Sequence, residues 1–192
     1  MRIDGRQHTD SAELEELARE AFPALTVVRC SWFAQNFSES FLREPVLAGE
    51  VALPVADMRE PFIDAEDIAD VATAALIEAG HTGETYELTG PALMTFADAV
   101  DAIAEASGRS VTFRTVVLDE YAAALVEHGL DDDAIGLIRY LFTEVLDGRN
   151  ARLADGVERA LGRPPRPFRE YAERAAAAGA WAAARAAEAA SI

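Results

Sequence analysis

Ser31, Trp32, Phe33 and Asn36 follow directly on a β-branched run, Leu25-Thr-Val-Val-Arg29-Cys30, and bring a hydroxyl, two aromatic walls and an amide together within six residues. Open α/β sheets place ligands just beyond the carboxyl ends of their strands, so this loop is a candidate substrate-binding site. Trp32 and Phe33 would wall an apolar pocket, and Asn36 would hydrogen-bond a ligand or brace the loop. The same side chains could equally serve as aromatic core and as a structural amide. Cys30 becomes a nucleophile only where a nearby cation lowers its pKa. The local cation is Arg29, whose side chain points to the opposite face of a strand, so Cys30 reads as a buried, inert thiol.

His8, His81 and His128 are too far apart for a His-x-x-x-His or His-Glu-x-x-His site, and no metal ligand set emerges. His81 and His128 lie beside Gly80 and Gly129 and read as helix-end residues; His8, ahead of the first helix, is the best placed of the three for acid/base work. Asp64, Glu66, Asp67 and Asp70 crowd a helix start, where acids complement the helix dipole. Asp131-Asp-Asp133 reads as another helix opening, since calcium-loop spacing is absent. The chain contains no Lys, its 17 basic residues being Arg. This excludes a Schiff-base Lys, a phosphate-loop Lys and a Tyr-x-x-x-Lys proton donor pair built on Tyr86 or Tyr121. No Gly-x-Ser-x-Gly elbow is present, which disfavours a serine hydrolase.

These residues need a scaffold, and 192 residues with 51% hydrophobic content suffice for one sizeable core, or one domain with a helical appendage. A net charge of −17 argues against nucleic-acid and anionic-membrane partners. A single Cys excludes an intrachain disulfide. No apolar signal or membrane-length run occurs, so the expected location is cytoplasmic. The Arg- and Ala-rich composition suggests a GC-rich bacterial genome.

Asp10-Ser-Ala-Glu13 resembles a capping box ahead of a short helix bearing Leu14, Leu17, Ala18 and Ala21, which Pro23 ends. Strands are expected at 25–30, 84–88 and 111–117, with a short extended piece at 49–54. A helix or helical turn is expected at 32–41, and helices from Asp64 to the Gly80 stop, from the Thr95-Phe-Ala-Asp98 capping box to Gly108, and over 119–127, 132–146 and 168–190. The last is Ala-rich, with a far end that could fray. This order predicts an α/β layered protein in which 25–30 and 84–88 pair in parallel.

Five stretches carry a resemblance: Thr26-Val-Val-Arg29-Cys-Ser-Trp-Phe33-Ala-Gln-Asn36, Phe62-Ile-Asp64-Ala-Glu-Asp67-Ile-Ala69, Gly83-Glu-Thr-Tyr86-Glu-Leu-Thr-Gly90-Pro, Thr95-Phe-Ala-Asp98 and Gly162-Arg-Pro-Pro. In this order they resemble the C-terminal portion of NmrA-like proteins, an atypical branch of the short-chain dehydrogenase superfamily that includes quinone reductases and cofactor-sensing regulators. The resemblance implies an incomplete Rossmann-like parallel sheet over 1–92 and a smaller, mostly helical substrate-type subdomain over 93–192. It places Ser31, Trp32, Phe33 and Asn36 beside substrate and implies NADP as the cofactor of relatives.

Family members carry a Gly-x-x-Gly-x-x-Gly turn whose amides hold the pyrophosphate, whereas the 12 glycines here are scattered. The expectation is therefore a truncated or split NAD(P)-dependent reductase acting on a quinone or carbonyl compound, which binds no cofactor by itself. An unpaired sheet edge should drive homo-oligomerisation or pairing with a second chain. The alternatives are a cofactor-independent small-molecule binding or regulatory protein, and a cyclase or isomerase on the same degenerate fold.

Overall fold

The computed structural model describes residues 2–3, 6–7, 11–127 and 129–182. His8, His128, the Asp10 capping position and the tail beyond 182 lie outside the described residues. Two dipeptides, β1 (Arg2–Ile3) and β2 (Arg6–Gln7), pair antiparallel ahead of α1 (Ser11–Ala21). The mixed α/β body then runs through β3 (Val27–Cys30), α2 (Arg43–Ala48), β4 (Glu50–Leu53), β5 (Arg59–Glu60), α3 (Ala65–Ile77), β6 (Thr85–Leu88) and β7 (Met94–Thr95). It continues with α4 (Phe96–Ser107), β8 (Thr112–Thr115), α5 (Leu118–Glu127), α6 (Asp132–Tyr140), α7 (Gly156–Leu161) and α8 (Phe168–Ala177).

The expected parallel pair forms: Val27 lies opposite Thr85 and Cys30 opposite Leu88. The strand expected at 111–117 is found as β8, parallel to β4, with Val51 opposite Phe113. The pair β5–β7 is antiparallel, setting Glu60 opposite Met94. Among the described residues β3 and β6 have only each other as neighbours, so the far edge of β3 carries no strand.

Two positions need glycine because main chains nearly touch. A Cβ at Gly90 would lie 2.1 Å from the Phe62 carbonyl oxygen, and one at Gly156 would lie 2.3 Å from that of Glu87. Gly90 lets the loop after β6 lie on the segment after β5; Gly156 lets α7 lie directly on β6.

The core has an aromatic centre. Phe37, Phe62, Phe96 and Phe168 meet with ring centroids 5.1 to 6.2 Å apart, mostly edge to face, the favoured geometry for ring quadrupoles. Trp181 joins it, donating its indole N–H to the Phe37 carbonyl at 2.7 Å. A second apolar cluster packs Ile63, Val71, Tyr86, Leu88 and Val157 where α3 and α7 cover β6.

The helix or helical turn expected over 32–41 is a single 3-10 turn, Ala34–Phe37, ahead of α2, which begins at Arg43. Ser38, which would continue the helix, is instead tied to the far end of the chain by the Tyr171 hydroxyl at 2.8 Å. The helix expected over 168–190 ends at Ala177, with Gly179 at φ 81° turning the chain so that Trp181 enters the core. Expected helix 132–146 becomes α6 plus a π turn, Leu141–Val145, a wider winding that inserts a residue.

Candidate functional site

A cavity of about 400 Å³ opens at the carboxyl ends of β3 and β6. Ser31 and Trp32 form one wall, Leu88 and Thr89 another, and Glu60, Leu146 and Asn150 close it. The crossing of segments explains its position. The Ser31 amide donates to Leu88 O at 3.0 Å while its hydroxyl donates to Pro61 O at 2.6 Å. Ile63 N in turn donates to Trp32 O at 2.9 Å. The chain after β3 is thus stitched to the segment that follows β5, and the two diverge around open space.

Of the four residues singled out from sequence, Ser31 and Trp32 lie on this cavity. Trp32 packs edge-on to Phe96 and Phe41, with centroids 5.8 and 6.3 Å away, and its buried indole nitrogen has no partner among the described residues. Phe33 and Asn36 are not in its wall. Phe33 is 41% exposed and pairs with Ile63 through its backbone; Asn36 lies in the 3-10 turn, its carbonyl accepting from Leu42 N at 3.3 Å. Cys30 borders the cavity, and burial pushes its thiol up to about 11, so it is protonated and weakly nucleophilic at neutral pH.

Glu60 carries no sequence signal, standing in a stretch without periodicity before Pro61. In the fold it is a buried carboxyl on the cavity wall, with Oε1 lacking a partner among the described residues. Burial, and secondarily the charge of Asp147, pushes it up to about 7. Arg29 and Arg152, also at the cavity, are engaged by Glu87 at 3.1 and 2.6 Å.

The remaining candidates are structural. Asp64 is the N-cap of α3, accepting from Glu66 N at 3.1 Å and from the Gln35 side-chain amide at 2.8 Å. Asp67 is fully buried and accepts the Arg166 backbone N–H at 2.7 Å, with the Arg166 and Arg163 guanidinium groups beside it. Asp131 caps α6 through Ala134 N at 2.8 Å. His81 is buried, its Nδ1 2.8 Å from the Tyr86 hydroxyl. Among the described residues no cluster of His, Cys, Asp and Glu suits a metal ion, and no helix is long and apolar enough to cross a membrane.

A dinucleotide needs backbone amides opening onto its pyrophosphate. The positive-φ glycines, Gly49, Gly80, Gly83, Gly108, Gly129, Gly148, Gly162 and Gly179, are dispersed over helix ends and turns. The two that permit close approach, Gly90 and Gly156, face the protein's own main chain. Among the described residues the positive-φ glycines do not come together in a glycine-rich turn of that kind.

No family model matches the sequence. It is 31% identical over 158 residues to NAD(P)H azoreductase of Xenophilus azovorans, an alignment covering 81% of this chain and 54% of that protein. The fold matches triphenylmethane reductase of Citrobacter sp. with TM-score 0.71 and 20% identity, covering 86% of this chain and 57% of that one. It also matches the NADPH-dependent quinone oxidoreductase of Escherichia coli complexed with NADPH, with TM-score 0.70 and 21% identity, covering 85% and 57%. The chain spans about half the length of the curated relatives it matches.

Proposed function

We propose that the chain, which resembles the C-terminal portion of NmrA-like atypical short-chain dehydrogenases, is the substrate-side portion of an NAD(P)H-dependent reductase for a small quinone or carbonyl compound. The observation that carries this reading is the cavity at the carboxyl ends of β3 and β6, bordered by Ser31 and Trp32, where parallel α/β sheets bind their ligands. The likeness to an NAD(P)H azoreductase supports NAD(P)H-linked reduction. Residues 1–92 would form the rear of the nucleotide layer and 93–192 the substrate-type part, in a cytoplasmic protein. The pyrophosphate grip would come from residues outside this chain, and the unpaired edge of β3 would be covered by a second copy or by a chain that completes the sheet.

The test is a pair of titrations followed by amide NMR. A neutral quinone such as 2,3-dimethyl-1,4-naphthoquinone should shift Ser31, Trp32, Leu88 and Thr89, while NADPH at concentrations that saturate a complete reductase should shift nothing. Quinone-induced shifts confined to other surfaces, or stoichiometric NADPH binding, would remove the reading. The absence of such a glycine-rich turn among the described residues favours a second possibility, a ligand-binding regulator without redox chemistry. That version predicts the same quinone shifts, with no NADPH oxidation when the chain is mixed with a Gly-rich strand–turn–helix polypeptide that completes its sheet.

A further inference from the structure

Glu60 is held by its main chain and left alone by its side chain. Its backbone is fixed by pairing with Met94, and the carbonyl of the next residue, Pro61, already accepts from the Ser31 hydroxyl and from Gly90 N. The residue is 2% exposed and borders the cavity, with Oε1 unpartnered among the described residues. Leaving a buried acceptor unpaired is costly, and a core with no ligand to hold would be better served there by an apolar side chain.

The surrounding charges decide which form of the acid is held. On the elements packed around the cavity stand Arg29 and Cys30 of β3, Glu87 of β6, Asp147 after the π turn, and Arg152 in the loop that follows. Arg29 and Arg152 are committed to Glu87, and Asp147 is committed to Arg149 at 2.5 Å. Among the described residues no cation pairs with Glu60, and its charged neighbour, Asp147, has the same sign. An ammonium ligand would require Glu60 to surrender its proton first, and a carboxylate ligand would meet Glu60 and Glu87 together. A neutral acceptor needs neither adjustment.

We propose that Glu60, as the uncharged acid, donates the hydrogen bond that anchors a neutral, flat carbonyl compound in this cavity by its oxygen. The inference rests on reading the cavity as the substrate site, and it adds the group that holds the substrate and the protonation state required. Trp32 supplies the aromatic wall against which such a ring lies. Glu87 and Asp147 are kept below the ordinary carboxylate range by their arginines, and Cys30 titrates well above neutrality. Between about pH 6 and pH 8.5, Glu60 is thus the cavity carboxyl that changes charge.

The experiment is calorimetry on the full chain without cofactor, using 2,3-dimethyl-1,4-naphthoquinone, whose methyl groups block addition of the Cys30 thiol. The control is 2,3-dimethylnaphthalene, of similar shape but without oxygen. Quinone affinity should fall about tenfold or more from pH 6 to pH 8.5 as the donor is lost, while the hydrocarbon's stays flat. Glu60→Gln, which keeps a donor, should hold affinity within about threefold and abolish the pH dependence. Glu60→Met should lose about tenfold or more for the quinone alone, with circular dichroism melts verifying that both variants fold. Quinone binding that is independent of pH, or undiminished in Glu60→Met, overturns the role of Glu60 and leaves the cavity reading standing. Binding of neither probe overturns both.

Discussion

At the scale of the residue, Glu60 should leave a mark on stability as well as on binding. Well below pH 4.5 its carboxyl is protonated in the folded and unfolded chain alike and costs nothing. Between its ordinary value of 4.5 and the raised value of about 7, the unfolded chain has released a proton that the folded chain still holds. The folded state binds more protons over that window, so stability falls as pH rises, and the full cost is present above it. The cost amounts to at most about 3 kcal/mol. Glu60→Gln has no such proton to lose. Its stability relative to the native chain, from urea melts, should therefore improve by roughly 2 to 3 kcal/mol between about pH 4 and pH 8.5. A difference that does not change with pH would mean that the carboxyl reaches water. The position of Ser31 and Trp32 was legible because they follow a strand; Glu60 was not, because its burial comes from β7 and from Gly90, some thirty residues away in the chain.

At the scale of the element, the start of α3 is more than a dipole matched by acids. Asp64, Asp67 and Asp70 are gripped by Arg163 and Arg166 of the Pro-rich turn and by Arg174 of α8, which fastens the C-terminal elements to the sheet layer. Asp67 is 0% exposed, so Asp67→Asn would remove the buried anion at the centre of the clamp and leave Arg163 and Arg166 only the half-exposed carboxylates of Asp70 and Glu66. The expected loss is about 3 kcal/mol or more by urea unfolding. Glu105→Gln, which breaks the exposed pair with Arg169 at 2.6 Å, should cost under about 1 kcal/mol. Equal effects would show that the clamp is only surface charge. The sequence displayed the acids but not the grip, since their partners lie almost a hundred residues later. Local signals carried other elements well. The Thr95–Asp98 box is present with both of its hydrogen bonds, and the β-branched run after Pro23 does pair with 85–88. Where a tertiary contact overrides local preference the sequence was opaque: Ser38 is held by Tyr171, Gly179 hides within an Ala-rich run, and α7 exists because Gly156 can touch Glu87.

At the scale of the whole molecule, two observations bear on assembly. The far edge of β3 has no strand among the described residues, and alternate amides of a parallel strand must point toward it. Across the β3–β6 pair, α1 sends Glu15 to Arg29 and Arg19 to Glu15 and Thr85, so its charged face turns inward. Its apolar face, carrying Leu14 and Leu17, stays 55% and 53% exposed. An open strand edge and an unpartnered apolar helix face are each surfaces that pair with another chain. Sedimentation at tens of micromolar should therefore find a dimer or larger species if a second copy is the occupant. The sign of the salt effect then identifies the kind of partner. Two copies each carrying −17 repel, so self-association should tighten as salt rises from about 20 to about 300 mM and screens that repulsion. A basic completing chain would be attracted by the same charge, and its complex should weaken over that range. A chain that remains monomeric across the salt series, and whose Val28 and Cys30 amides are protected from hydrogen exchange, would mean that the edge is already covered within one copy.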